Sequence, residues 1–308
     1  MDRLEATRIF VAVADAGSLS AAARRLGVPL ATVSRRLAAL EAHLSIRLLL
    51  RTTRRLALTE AGQRYLEAGR RILTDLEEAE RSAAGTHGQP RGRLAITAPI
   101  VFGRLHVLPV VTGFLASHPA VDVRLALTDR VVDLLDEGLD LAVRIGTLAE
   151  TTMVATRVGT IGRVVCASPA YLAAHGTPRA PRDLAGHDCI AFSAAAAVDR
   201  WVFPAEGGEV AVPVRARLIV STAEAAVDAA VSGLGVTRVL SYQAEAALRA
   251  GSIRRVLAAF EPPPSPVSLA YPQGRFLPAK VRAFLDFAAP RLRRSLAALD
   301  ATGRRLRR

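Results

Sequence analysis

Residues 18–55, SLSAAARRLGVPLATVSRRLAALEAHLSIRLLLRTTRR, restrict the fold more than any other stretch of this chain. Ser18 is a strong helix N-cap, because its hydroxyl can accept from an amide of the first turn. Ala21, Ala22 and Ala23 are small enough for close helix approach. Gly27 suits a sharp turn, since glycine takes positive φ at no steric cost. Pro29 fits the first turn of the next helix, where a missing N–H costs nothing. That helix runs from about residue 30 to 43. It turns Val33, Leu37 and Leu40 inward and Thr32, Ser34 and Arg35 outward. Helix, tight turn, helix with this polarity reads as a helix-turn-helix. The stretch holds eight arginines (24, 25, 35, 36, 47, 51, 54 and 55) against one acid, Glu41. Such one-signed charge on an apolar frame fits a polyanionic partner.

The flanking segments extend the pattern. Leu4, Ile9, Phe10 and Val13 lie at helical spacing, and Gly17 closes that helix. IRLLLRTTRRLAL (46–58) predicts a short two-stranded wing with arginines near its tip. Thr59 opens a long amphipathic helix, 59–84, with Tyr65, Leu66, Ile72, Leu73 and Leu76 on one stripe, a pattern suited to pairing with a second copy. GTHGQPRG (85–92) reads as a linker. Beyond it the period changes. Strands at 94–97, 121–127 and 139–146, with helices at 100–116 and 129–137, predict a βαβαβ parallel sheet. Further strands are expected at 153–158, 161–167, 189–192, 200–203, 209–214, 217–220, 235–240 and 267–271. Helices are expected at 169–175, 223–232, 241–249 and 278–288. The segment after Pro290 holds seven arginines and one acid and reads as a solvated, frayed tail.

Composition narrows the function classes. Of 41 basic residues all but Lys280 are arginine, and the formal net charge is +13. Cys166 and Cys189 are the only cysteines, form no CxxC, and have no clustered histidines beside them, so neither a disulfide scaffold nor a zinc site is expected. A redox switch pair is a lesser alternative to buried, inert thiols. The N-terminus has no signal-peptide pattern and no apolar run of membrane-spanning length is evident, which places the chain in the cytosol. No GxSxG, GxGxxG after a strand, phosphate loop or HExxH is present. The six histidines (43, 87, 106, 118, 175 and 187) are scattered. No catalytic residue, metal or cofactor is therefore expected. A free-standing solute-binding protein accounts for the C-terminal part but not for the basic helix-turn-helix.

The blocks FVAVADAGSLSAAARRLGV, VSRRLAALEAHL, RLLLRTTRRLALTEAG, LAITAPIVFGRLHVLP, DRVVDLLDEGLDLAVRIG, RVVCASPAYLAAHGTPRAPRDLAGHDCI, GLGVTR and KVRAFLDF together resemble the LysR-type transcriptional regulators over nearly the whole chain. Within that family the chain is similar to the subgroup with CrgA-like effector domains. The resemblance implies an α+β multidomain protein. A winged helix-turn-helix would occupy 1–58, a linker and dimerisation helix 59–90, a periplasmic-binding-protein-like (type 2) effector domain of two subdomains 91–290, and a basic tail 291–308. It implies promoter DNA, a small-molecule effector and further copies of the chain, as dimer or tetramer, as partners, and allows RNA polymerase as another. Two departures stand out. Pro29, Leu30 and Ala31 replace the polar residues that often enter the family's recognition helix, and Ser45 stands where glycine is usual.

The expected sites follow. Arg35 is placed to read a guanine edge, since its two parallel donors match O6 and N7. Thr32, Ser34 and Arg36 would contact base edges or phosphates, and Arg51, Thr52, Arg54 and Arg55 the backbone or minor groove. In open parallel sheets ligands lie beyond the strands' carboxyl ends. Those ends are Thr97-Ala98-Pro99, Arg144-Ile145-Gly146 and the region of Thr237. The helix starting near Ile100 would aim its amides at an anionic effector, with Phe102 lining the cleft. By resemblance Ser193 and Thr222 also reach in. Arg144 would hold an effector carboxylate or pair structurally with an acid.

Overall fold

The computed structural model describes residues 2–51, 56–83, 89–147, 153–192, 200–273 and 277–305. It divides into two units, Met1–Gln89 and Pro90–Arg308.

The first unit opens with helices α1 (Arg3–Ala16), α2 (Leu19–Leu26) and α3 (Leu30–Leu44). Ser18 caps α2 by accepting from the Ala21 amide, and Gly17 and Gly27 close α1 and α2 in the left-handed region, at φ 62° and 66°. Phe10, Val13, Val33 and Leu37 are fully buried at the centre of the three-helix core. Each such side chain contributes about 1.5–3 kcal/mol by leaving water. Ser45 ends α3 at φ 54°. A non-glycine residue there costs about 1–2 kcal/mol, so the departure from glycine is absorbed by the fold without changing the turn. Strands β1 (Leu49–Arg51) and β2 (Leu56–Leu58) pair antiparallel as a wing, Leu49 opposite Leu58. Helix α4 (Glu60–Ala83) follows, with Thr59 Oγ1 accepting from the Gly62 amide. A Cβ on Gly62 would lie 2.0 Å from the Leu48 carbonyl oxygen, so the helix start and the wing meet backbone to backbone. The Tyr65 hydroxyl bonds Thr7 Oγ1 at 2.9 Å and its ring meets Phe10 edge-on, while Arg70 pairs with Asp15. The first half of α4 thus packs on α1. Ile72 stays half exposed.

The second unit holds two five-stranded sheets. The chain passes through β3 (Gly92–Ala98), α5 (Ile100–Phe102), a π-turn (Gly103–Val107), α6 (Leu108–Ser117), β4 (Val121–Leu127), β5 (Leu141–Ile145) and β6 (Met153–Ile161). It then forms β7 (Arg163–Ala167), α7 (Pro169–His175), β8 (Asp188–Phe192), β9 (Arg200–Ala205), β10 (Gly208–Pro213), β11 (Arg215–Val220), α8 (Ala223–Val231), β12 (Val236–Leu240), α9 (Ser241–Arg249), β13 (Arg254–Val256), β14 (Ser265–Pro272) and α10 (Ala279–Arg305). The sheets run β4-β3-β5-β14-β6 and β11-β8-β12-β7-β13. The chain changes sheets at Gly162 and returns before Ser265. A shared core joins Leu94, Ile96, Phe102 and Phe284 to Cys166, Ile190 and Val239.

Four expectations are corrected. The helix over 129–137 does not form. Asp133 Oδ1 accepts from the Leu135 and Asp136 amides at 2.7 and 3.1 Å, a side-chain turn that competes with helix, and Gly138 takes φ 63°. The first sheet is parallel, as expected, where β3 pairs with β4 and β5, but is mixed as a whole, because β14 pairs antiparallel with both β5 and β6. β13 was not anticipated; its RRV sequence becomes a strand by pairing with β7, and Arg255 is fixed by a buried ion pair to Glu261. Nor does the chain fray after Pro290. α10 continues through that proline, and Leu292 and Leu296 are buried. Leu296 fills the space above Gly159, where a Cβ would come within 2.6 Å of Leu296 Cδ1.

One helical stretch, Ile100–Ser117, is long and apolar enough by composition to cross a membrane, with mean hydropathy 1.6. It corrects the expectation that no such run exists. Here it is a core helix, with Val101, Phe102, Val107, Val111 and Phe114 buried.

Candidate nucleic-acid interface and effector cleft

Helix α3 presents one face of the first unit. Val33, Leu37 and Leu40 face the core, which leaves Thr32 and Ser34 half-buried and Arg35 exposed. Arg35 has no ion-pair partner among the described residues. Arg36 reaches Glu5 of α1 at 2.9 Å, an employment that the sequence did not show. That pair is largely exposed and worth under about 1 kcal/mol, so a phosphate can displace Glu5. No side chain caps α3; Pro29 stands at the N-cap and supplies only its carbonyl, to Thr32 and Val33. The first amides of the helix are thus left for an external acceptor.

Glu41, the one acid of the stretch, accepts from the Leu48 and Leu49 amides at 2.8 and 3.1 Å. It ties α3 to the wing, and its isolation among arginines was the available signal. Arg51 lies on β1; its side chain, and Thr52, Arg54 and Arg55, lie outside the described residues.

In the second unit, β3 ends at Ala98 beside the start of α5. The Ile100 amide donates to Asp129 Oδ1 at 3.1 Å. A carboxylate of the chain itself thus occupies this amide, which corrects the expectation that it is free for an anionic effector. Burial raises the Asp129 pKa and the nearby Glu224 adds to the rise, while the Ile100 bond opposes it. Asp129 follows β4 directly, so its strand-end position was a readable signal. Phe102 is fully buried, edge-on to Tyr242 at 5.5 Å and 4.8 Å from the His106 ring. Burial pushes the Tyr242 hydroxyl pKa up, and Asp129 adds to this. His106 Nδ1 meets Ser295 Oγ at 3.0 Å. Burial lowers its pKa, and Nε2 has no partner among the described residues. Thr97 Oγ1 is buried and likewise unpartnered among them.

Thr222 caps α8 by accepting from the Ala225 amide, and Glu224 in its first turn meets Arg104 of the π-turn at 2.8 Å, joining the two subdomains. Pro99, Phe102, Asp129, Glu224 and Tyr242 are thereby gathered between the sheets. Thr237 is spent inside its sheet, donating to the Ile190 carbonyl at 3.1 Å. Arg144 donates to the Val132 carbonyl at 2.6 Å, and Gly146, at φ 116°, bonds the Pro266 carbonyl. Ser193 lies outside the described residues. Among the described residues no group of three or more His, Cys, Asp or Glu could hold a metal.

Cys166 and Cys189 are both buried, and burial pushes each thiol up to about 12. Cys166 stands opposite Thr237 of β12 and Cys189 opposite the adjacent Val236, so they occupy opposite faces of one sheet on strands separated by β12. Two strand spacings, about 9.6 Å, exceed what a disulfide spans. The switch pair is excluded.

A winged helix-turn-helix followed by a two-sheet α/β effector domain defines a ligand-responsive transcriptional regulator. Residues 4–63 match the family described as bacterial regulatory helix-turn-helix protein, lysR family, and residues 87–293 match the LysR substrate binding domain. The chain belongs to the LysR family of transcriptional regulators. An HTH-type transcriptional regulator of Xanthomonas campestris is 36% identical over 94% of this chain and 85% of its own length. CrgA of Neisseria meningitidis is 31% identical over 95% of this chain and 98% of its own. The structure of CrgA superimposes with TM-score 0.59 at 29% identity, covering 94% of this chain and 98% of CrgA. Full-length AphB of Vibrio cholerae gives 0.58 at 27% identity, covering 93% and 98%.

Proposed function

We propose that this regulator reads promoter DNA in the cytoplasm through α3, with Arg35 on a guanine edge, Thr32, Ser34 and the free amides of the helix start on base edges or phosphates, and the wing on the adjacent backbone. The observation that carries the reading is Arg35. It is exposed at the start of a helix whose inner face is locked in the core, and no acid among the described residues competes for it. Ile72 on the free side of α4 supports a homodimer that pairs two such heads, in a dimer or tetramer. A small effector entering between the two sheets, near Pro99, Asp129 and Thr222, would favour one closure of the domain over another. It changes promoter binding only by its differential affinity for the two.

Arg35→Ala should weaken binding to the cognate site by about 1–3 kcal/mol and relax preference at one base pair. Footprinting and fluorescence anisotropy on the native promoter fragment measure both. Unchanged affinity and unchanged footprint overturn the assignment of α3. A monomer by light scattering at micromolar concentration overturns the paired heads.

A further inference from the structure

Arg163 and Arg238 stand together on the second sheet. β12 and β7 pair antiparallel with Arg238 opposite Val165 and Leu240 opposite Arg163. Arg163 and Val165 are two apart on one strand, so both arginines project from the same face as diagonal neighbours, within reach of long side chains. This face also carries Val165 and Val236, and Trp201 and Phe203 of β9 pack in the same cluster. Both arginines are half-buried. The Arg238 guanidinium lies 5.1 Å over the Phe203 ring. Neither guanidinium has a hydrogen-bond or ion-pair partner among the described residues. Glu209 acts on Arg238 only at longer range and is itself exposed.

Each guanidinium carries five N–H donors in a fixed fork. Two of them, partly withdrawn from water, repel each other and leave those donors without an acceptor among the described residues. Burial lowers both pKa values, and Arg163 adds to the drop at Arg238, to about 10. The other arginines of this sheet whose pairing is seen are compensated: Arg215 and Arg217 by Asp188, and Arg255 by Glu261. A like-charged pair beside an aromatic ring, with no acid in contact among the described residues, has the form of an oxyanion site.

We propose that Arg163 and Arg238 form an oxyanion-binding site of the effector domain, taking the carboxylate or phosphate of a small metabolite beside the Phe203 ring. This is a second ligand site, on the face of the sheet opposite the cleft near Pro99, Asp129 and Thr222, where Asp129 already holds the Ile100 amide.

The test uses the full chain, titrated with sodium phosphate and separately with sodium benzoate at ionic strength fixed by chloride. Melting temperature and calorimetric binding are read for wild type, Arg163→Gln, Arg238→Gln, the double variant and Arg254→Gln, an exposed arginine of the same sheet. Wild type and Arg254→Gln should show a saturable rise in melting temperature. Each single variant at the site should weaken the anion about tenfold or more, and the double variant should lose the rise. Without anion, the double variant should melt no lower than wild type, since a repulsion has been removed. A double Arg→Lys variant should retain weakened binding. Response to phosphate alone identifies a phosphorylated ligand, and response to benzoate alone a carboxylate; both support the site. No saturable response of wild type to either anion overturns it, as does an unchanged response in the double variant. Promoter binding measured on the same preparations separates this outcome from failure of the DNA-binding assignment, because neither arginine belongs to α3 or the wing.

Discussion

Leu296→Ala tests whether the chain after Pro290 belongs to the effector domain's core. Leu296 is 2% exposed, and its Cδ1, Cβ and Cγ lie 2.6, 2.9 and 3.3 Å from where a Cβ on Gly159 would stand. Truncating a buried leucine costs about 2–5 kcal/mol through lost transfer energy and residual cavity. Gly159→Ala alone pushes a methyl into the leucine and should cost about 1–3 kcal/mol by overpacking. In the double variant the new methyl loses its contacts with Cδ1 and Cγ and keeps only the one with the residue 296 Cβ at 2.9 Å. The two losses should therefore fall short of additivity by about 1 kcal/mol or more. Urea unfolding of the four proteins, followed by a signal of the second unit, closes the cycle. Strict additivity, or a Leu296→Ala loss under about 0.5 kcal/mol, which is ordinary for a surface site, would refute the packing of α10 on β6.

Three further outcomes can be checked. Gly62→Ala places a methyl 2.0 Å from the Leu48 carbonyl oxygen, a backbone atom that cannot swing away. It should destabilise the first unit by about 1–3 kcal/mol or more, and a melting transition equal to wild type would contradict that approach. Cys166 and Cys189, both held near 12, should resist alkylation at pH 8 in the folded protein and react only on unfolding; fast modification of the native chain would show that the thiols are accessible. Glu5→Gln frees Arg36 from its ion pair and should leave promoter affinity unchanged or improved, whereas a clear loss on the same anisotropy assay would mean that Glu5 positions Arg36 for DNA.

What could be read from sequence was local. Ser18, Gly27 and the Val33–Leu37–Leu40 stripe dictate their helices through neighbours a few residues away, and the blocks around them carry the family. The features that escaped depend on distant partners. Pro290 reads as a stop because proline removes a helical donor, but Leu292 and Leu296 find a buried surface on β6 and keep the helix going. Residues 129–137 carry a helix-like apolar spacing, yet Asp133 caps its own turn and leaves Val131 83% and Leu135 70% exposed. Asp129 meets the Ile100 amide, and Arg163 meets Arg238, only because strand order and register place them together. No spacing along the chain encodes those encounters.

Glu41 gives the first unit a mechanical joint between α3 and the wing. Its carboxylate grips two successive amides at the root of the wing from a helix whose own inner face is immobilised. Helix and wing must therefore travel as one tool with a set jaw width. Removing one methylene at this position would draw the grip in by about 1.5 Å while leaving every arginine in place. A substitution at this one acid can thus reset the span between the helix and the wing without changing any arginine of the stretch.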